Sequence, residues 1–117
     1  MQGNKGPNLV VDLSFSFALK VIRYAETLDS SRKSVVSRQI LRSGTSVGAN
    51  IREAQNAESK ADFIHKMKIA AKEADETEYW LLLCKASDGY PDCDELLTQC
   101  ISIIKVLSKI IASSKLK

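Results

Sequence analysis

Glycine and proline are scarce in this chain of 117 residues, with five and two copies respectively. So few chain-breaking residues argue against an all-β fold, whose many short strands need turns rich in these two residues. No uninterrupted apolar run approaches the roughly 18 residues of a membrane span, and residues 1–8 lack the apolar stretch of a secretory signal. The sequence therefore predicts a cytoplasmic protein with no membrane partner.

Cysteine and histidine are also few, with three cysteines and one histidine. Cys84, Cys93 and Cys100 contain no Cys-x-x-Cys pair, and together with His65 they lack the spacing of a zinc site. A di-iron bundle would need two Glu-x-x-His motifs, and the glycine motifs of nucleotide-binding loops are absent. We therefore expect buried, reduced thiols and neither a metal nor a cofactor.

His65 is too isolated in the sequence to predict catalysis, because no second group can be placed beside it to form a nucleophilic relay. Some helical-bundle ribonucleases carry an arginine a few residues before their histidine. In this chain Glu58, Ser59 and Lys60 hold those positions. A degenerate nuclease is thus the weakest alternative, and the sequence predicts a protein that is not an enzyme.

Apolar residues are plentiful, at 44% of the chain, which is enough to form a core. They recur every three or four residues in four long segments, which is the spacing of one helix face. Long helices with short connections predict an all-α fold, an antiparallel up-down four-helix bundle with a single domain. The predicted segments are Leu9 to Leu28, Arg32 to Asn56, Lys60 to Ser87 and Asp92 to Ser113, within a domain of residues 9–117 that follows a flexible segment of residues 1–8.

Local signals predict where these helices begin and end. Residues 29–31 offer side-chain oxygens to cap the second helix, and Ser59 with Asp62 forms a capping-box variant for the third. Gly89 supplies the stop after the third helix, and Pro91 suits the first turn of the fourth. In the first helix, residues 15, 19 and 22 are expected to broaden the apolar stripe.

The second segment contains Gly44 and Gly48, each of which costs a helix about 1 kcal/mol relative to alanine. A turn is therefore an alternative at this point. The apolar stripe keeps its phase across the two glycines, which favours a continuous helix. Both glycines then lie on one face, where they let another backbone approach closely.

A polar stripe on the second helix exceeds the needs of a plain bundle. Ser43, Ser46, Asn50 and Glu53 recur at spacings of three and four, beside the apolar stripe. They form either a solvated flank or a packed contact with another helix or subunit, because buried polar groups need hydrogen-bond partners.

A second face is predicted on the third helix, where Ile69, Glu73, Glu76 and Trp80 lie off the inward stripe that contains Met67. Either the inward face is broad, or the helix has a second buried surface. Tryptophan is enriched in protein interfaces, and the two glutamates would need partners such as an arginine. The predicted interface between copies of the chain consists of Ser46, Asn50, Glu53, Ile69, Glu73, Glu76 and Trp80.

The formal net charge is only +3, so its distribution matters more than its size. Arg38, Arg42 and Arg52 fall on one face of the second helix. Such a stripe either follows the phosphates of RNA or DNA or is an ordinary solvated face with salt bridges. We predict that these three arginines contact nucleic acid.

Two stretches of the chain carry a family resemblance. Residues 43–55 read Ser-Gly-Thr-Ser-Val-Gly-Ala-Asn-Ile-Arg-Glu-Ala-Gln, and residues 62–81 begin with Asp-Phe-Ile and end with Tyr-Trp-Leu. Together they resemble the bacterial four-helix bundle proteins named after intervening sequences in large-subunit ribosomal RNA genes. The resemblance extends over about residues 10–111, although many members have glycine where this chain has Ala54.

The resemblance implies an up-down four-helix bundle that assembles as a ring-like homopentamer and has no established enzymatic activity. The accessory variability determinant proteins of diversity-generating retroelements are similar in fold, and they bind nucleic acid and a reverse transcriptase through a basic surface. We therefore expect a homo-oligomeric, pentameric scaffold that binds RNA or DNA weakly through basic helix faces. The alternative is a protein–protein assembly module with no nucleic-acid role.

Overall fold

The computed structural model describes residues 8–116 as four helices that pack in a ring, each against the next and the last against the first. The resulting up-down bundle measures 47 × 21 × 20 Å and confirms the predicted all-α fold. Of the flexible segment predicted for residues 1–8, all but Asn8 lies outside the described residues. The helices are α1 (Leu9–Ser30), α2 (Ser34–Ala54), α3 (Lys60–Ala86) and α4 (Asp94–Leu116).

The core is one continuous cluster that receives an apolar stripe from every helix. Each large side chain that is fully buried contributes about 1.5–3 kcal/mol to stability, which is how the stripes hold four separate helices together. Among the most deeply buried are Phe17, Val21 and Leu28 of α1, Ile40, Val47 and Ile51 of α2, Met67 and Leu81 of α3, and Ile103 and Leu107 of α4.

Small residues let α1 and α2 approach each other closely. The helix α2 continues through both of its glycines, as predicted. A Cβ atom added to Gly44 would lie only 2.7 Å from Cγ1 of Val21, and one added to Gly48 would lie 3.4 Å from the Ser14 hydroxyl oxygen. The predicted close backbone approach is therefore confirmed, and the partner is α1 of the same chain.

The start of α3 confirms the predicted cap with one difference. The Ser59 hydroxyl accepts a hydrogen bond from the Asp62 amide at 3.0 Å. The Asp62 carboxylate in turn accepts from the Glu58 amide at 3.1 Å, one residue before the position used by the usual capping box. Aspartate is one methylene shorter than the glutamate of that motif.

Two other boundary predictions are wrong. Residues 29–31 belong to the end of α1 and its C-cap, and the N-cap of α2 is Lys33, which makes no side-chain cap hydrogen bond. Likewise α4 begins only at Asp94, so Pro91 precedes the helix. The Pro91 carbonyl instead accepts a hydrogen bond from the Tyr24 hydroxyl at 2.8 Å, which ties the α3–α4 connection to α1.

All three cysteines are free and buried, as predicted. The thiol of Cys93 donates to the Leu81 carbonyl and that of Cys100 to the Ala74 carbonyl, both at 3.3 Å. Burial raises the pKa of Cys100 to about 12. Such a thiol stays protonated near neutral pH, so it behaves as a small core side chain.

Among the described residues, α4 is the one helix long and apolar enough to cross a membrane, judged by length and composition alone. The sequence prediction considered uninterrupted apolar runs, and Lys105 and Lys109 break the run here. The buried side chains of this helix, including Leu96, Ile103 and Leu107, fill the centre of the bundle. Over the most apolar part of this helix, 28% is buried inside the bundle.

Candidate interaction surfaces

Arg42 on α2 reaches across to α3 and contacts two glutamates of the predicted interface, Glu73 and Glu76. Its Nη1 atom donates to Glu73 at 3.2 Å, and its Nη2 atom donates to Glu76. The indole nitrogen of Trp80 donates to the same Glu76 oxygen at 3.1 Å. Hydrogen bonds from Arg42 and Trp80 hold the pKa of Glu76 below its usual value. The arginine that these carboxylates were expected to need is therefore supplied by the same chain.

The polar stripe of α2 divides into one interhelical contact and several surface positions. A hydrogen bond of 2.8 Å joins the buried hydroxyls of Ser43 and Thr77, which links α2 to α3. In contrast, the Ser46 hydroxyl and the Asn50 amide donate to carbonyls of their own helix, at 2.7 and 2.8 Å, and Glu53 is exposed. Ser46, Asn50 and Glu53 thus remain available at the surface.

The outer face of α3 carries several apolar side chains at the surface. Ile69 and Trp80 are half-buried, so the predicted second surface of this helix lies at the outside of the bundle. Tyr79 stacks edge-on against Trp80 with ring centroids 6.1 Å apart, and it is itself exposed, as is Leu83. We call Ile69, Tyr79, Trp80 and Leu83 the α3 outer face.

A second apolar surface contains Phe15, Leu19 and Ile22, which were predicted to broaden the inward stripe of α1, and that prediction is wrong. Phe15, Leu19 and Ile22 are 57, 47 and 38% exposed, and Leu41 of α2 is 38% exposed. At about 100° per residue, the three α1 positions point away from the stripe that contains Phe17. We call Phe15, Leu19, Ile22 and Leu41 the α1–α2 face.

The signal for this surface was present in the sequence. The inward apolar stripe of α1 is already complete without residues 15, 19 and 22. A helix that is apolar on a second side is typical of one that contacts something besides its own core. A cavity of about 160 Å³ borders the face, lined by Phe15 and Arg52 and by the close helix crossing at Ser14 and Gly48.

The arginine stripe is exposed along α2, as its predicted role requires, but its three members differ in charge environment. The two carboxylates beside Arg42 offset its charge. Arg38 and Arg52 have no carboxylate partner within residues 8–116. They lie about 21 Å apart along the helix, at roughly 1.5 Å per residue, so the stripe offers two separated free charges.

His65 is exposed on α3. In the part of the chain that the structure describes, no three His, Cys, Asp or Glu side chains come together in a group that would hold a metal ion.

The fold and its surface can be compared with known proteins. No curated protein is significantly similar to the chain. A crystal structure of a protein of unknown function from Bacteroides thetaiotaomicron, assigned to the S23 ribosomal protein family, is 46% identical with a TM-score of 0.83. That match covers 87% of this chain and 97% of the other. The sequence model of the 23S rRNA-intervening sequence protein family matches residues 7–109. The chain therefore belongs to the 23S rRNA-intervening sequence protein family.

Proposed function

We propose that the protein is a non-enzymatic scaffold that assembles with copies of itself and binds RNA or DNA weakly. The observation that carries the assembly is the pair of apolar surfaces left on the outside of one copy. The core is filled largely by other residues, and of the side chains that define the two faces only Trp80 packs against it. Burial of apolar surface contributes about 25 cal/mol for each Å² removed from water, which favours contacts between copies.

The two faces lie on different sides of the bundle, which supports a ring. An interface that joins one surface of a subunit to a different surface of the next is heterologous, and such contacts close into rings when the rotation permits. We propose that the α3 outer face, with Ser46, Asn50, Glu53 and the glutamates beside Trp80, meets the α1–α2 face of the next copy. The proposed ring contains five copies.

Native mass spectrometry at tens of micromolar tests this assembly. The wild type is expected at five times its monomer mass of 12.9 kDa. Trp80→Ala removes the largest side chain of the α3 outer face, and Phe15→Gln with Ile22→Gln makes the α1–α2 face polar. Both changes are expected to shift the mass to the monomer. Leu116→Gln is the control, because Leu116 is 89% exposed and belongs to neither face.

A wild type that is monomeric under these conditions would reject the assembly. Loss of assembly in the control alone would reject the two faces. If Trp80→Ala dissociates the protein while the α1 double variant does not, the α1–α2 face is not the partner surface.

Nucleic-acid binding is the second part of the proposal, and it is supported by exposed arginines that lack a carboxylate partner. A ring would repeat Arg38 and Arg52 around its axis, which multiplies a weak positive field. Contacts of this kind release counterions from the phosphates, so the affinity falls steeply with salt.

A gel shift with a short single-stranded RNA tests this second part. We expect a shift at low salt that Arg38→Glu with Arg52→Glu weakens, while Arg42 is left in place because its loss would also break the contacts to Glu73 and Glu76. No shift of the wild type at low salt would leave the alternative, a protein–protein assembly module with no nucleic-acid role.

A further inference from the structure

Charge is strongly segregated along the hairpin formed by α3 and α4. Residues 60–72 and 105–116 together carry seven lysines and a single acidic residue, Asp62, whereas residues 73–104 carry eight acidic residues and one lysine. Because α3 and α4 are antiparallel, the start of α3 and the end of α4 lie at the same end of the bundle. We call this the basic end and the connection between the helices the acidic end.

Lysines of α3 and α4 share the basic end of the bundle. Lys68 on α3 and Lys115 on α4 are close enough for their charges to repel each other, which lowers the pKa of Lys68. Lys72 lies one turn along α3 from Lys68, on the same side of that helix. All three are exposed.

The described residues provide no carboxylate partner for these three lysines. Asp62, the one acidic residue in residues 60–72 and 105–116, forms an ion pair with Lys66 at 3.5 Å. At the acidic end, Lys85 forms an ion pair with Asp94 at 3.0 Å. Asp12 of α1 and Arg52 and Glu53 of α2 also lie at the basic end. Neither carboxylate forms an ion pair with these three lysines.

Like charges that share one end of a bundle raise the electrostatic free energy of the folded protein. An anion between the ammonium groups would remove this cost, and a chain of phosphates would satisfy several of them at once. The acidic end would repel the same polyanion, which restricts the surface over which it can lie. We propose that Lys68, Lys72 and Lys115 form a contact site for the phosphate backbone of single-stranded nucleic acid.

This inference rests on the nucleic-acid part of the proposed function, and it places the main contact on the lysines of α3 and α4 instead of the arginines of α2, although Arg52 lies at the same end of the bundle. Fluorescence anisotropy with a short labelled oligouridylate tests it on the full-length chain. Lys68→Gln with Lys115→Gln is expected to weaken binding about tenfold at low salt. The slope of log affinity against log salt concentration is expected to fall by about 1.4, which corresponds to two lost phosphate contacts to a single strand.

Two matched variants complete the experiment. Arg38→Gln with Arg52→Gln removes the same amount of charge from exposed positions of α2 and is expected to weaken binding less than the lysine pair. Lys68→Arg with Lys115→Arg keeps both charges and is expected to retain most of the affinity. Circular dichroism checks that all variants remain helical.

The outcomes separate the two proposals. Binding by the wild type that the lysine pair leaves unchanged and the arginine pair abolishes would overturn this inference and leave the nucleic-acid function intact. A wild type that does not bind the oligonucleotide would overturn the function itself. Binding to anionic lipid vesicles in place of the oligonucleotide would also overturn the inference, because it would identify a different polyanion.

Discussion

The surfaces on the two sides of α2 differ in whether their side chains have bonding partners within the chain. Towards α3, the surface groups form a connected set in which Arg42, Glu76 and Trp80 are partnered within one chain. Towards α1, the surface is formed by apolar groups such as Phe15 and Ile22, for which water is the poorest environment. A network of hydrogen bonds fixes the positions of its side chains, whereas exposed apolar area favours association with another molecule. In the proposed assembly, the first face would set how two copies align and the second would supply the apolar area that holds them together.

The largest expected effect concerns the packing beneath the apolar face. Gly44→Ala would place a Cβ atom against the buried Val21 side chain, so we expect a net loss of about 1–2 kcal/mol of stability despite the helix propensity of alanine. The same change at Gly48 meets only ordinary contact distances and is expected to stabilise the protein by up to about 1 kcal/mol. Urea unfolding of both variants measures the difference. Equal effects at the two glycines would contradict the asymmetric helix crossing.

The next effect concerns the buried link between α2 and α3. Thr77→Val removes the hydroxyl that contacts Ser43 and leaves the buried Ser43 hydroxyl without this partner, which we expect to cost about 1 kcal/mol. Thr45→Val is the matched control, because the Thr45 hydroxyl bonds only to carbonyls of its own helix. Its effect on the unfolding free energy is expected to stay within about 0.5 kcal/mol. An unchanged unfolding free energy in Thr77→Val would show that the hydrogen bond between Ser43 and Thr77 does not stabilise the protein.

A smaller and pH-dependent effect concerns Glu76. Because its pKa is lowered in the folded protein, its contribution to stability is present above the pKa of an unfolded glutamate and is lost as the pH falls through the folded pKa. Glu76→Gln is expected to cost about 0.5–1 kcal/mol at pH 7, since the pair is largely exposed. The difference from the wild type should vanish in acid.

Fluorescence of Trp80 provides the measurement for that variant, since it is the only tryptophan of the chain. Urea titrations at pH 7 and in acid give the two stabilities. A difference that grows in acid would contradict the assigned direction of the Glu76 pKa. Glu95→Gln is a suitable control, because Glu95 contacts Lys20 on the other side of the bundle.

The smallest effect compares the two hairpin connections. The α3–α4 connection places Gly89 at φ 79°, whereas the α1–α2 connection places Arg32 at φ 64°. Side chains disfavour this left-handed region, so Arg32→Gly is expected to raise stability by about 0.5 kcal/mol. Thermal unfolding under conditions of equal assembly measures it. A loss of stability would show that the Arg32 side chain makes up for its backbone conformation.

The sequence predicted the four helices and the glycine contact because periodicity within one helix is local information. It did not predict the fate of Arg42, whose carboxylate partners are 31 and 34 residues away along the chain. It also added Phe15, Leu19 and Ile22 to the inward stripe of α1, although at about 100° per residue these positions point away from Phe17. Which surface residues contact other molecules depends on those neighbours, so the interface and the nucleic-acid contacts stay predictions.

The up-down arrangement of the helices has a practical consequence for engineering. Since α1 starts and α4 ends at the same end of the bundle, a short peptide can join Asn8 to Leu116, and new ends can be opened in the connection of residues 87–93. Such a circular permutant would keep all four helices intact and would put at risk chiefly the bond from Tyr24 to the Pro91 carbonyl. It would also move any affinity tag away from Lys115, where an added charged peptide would interfere with RNA measurements.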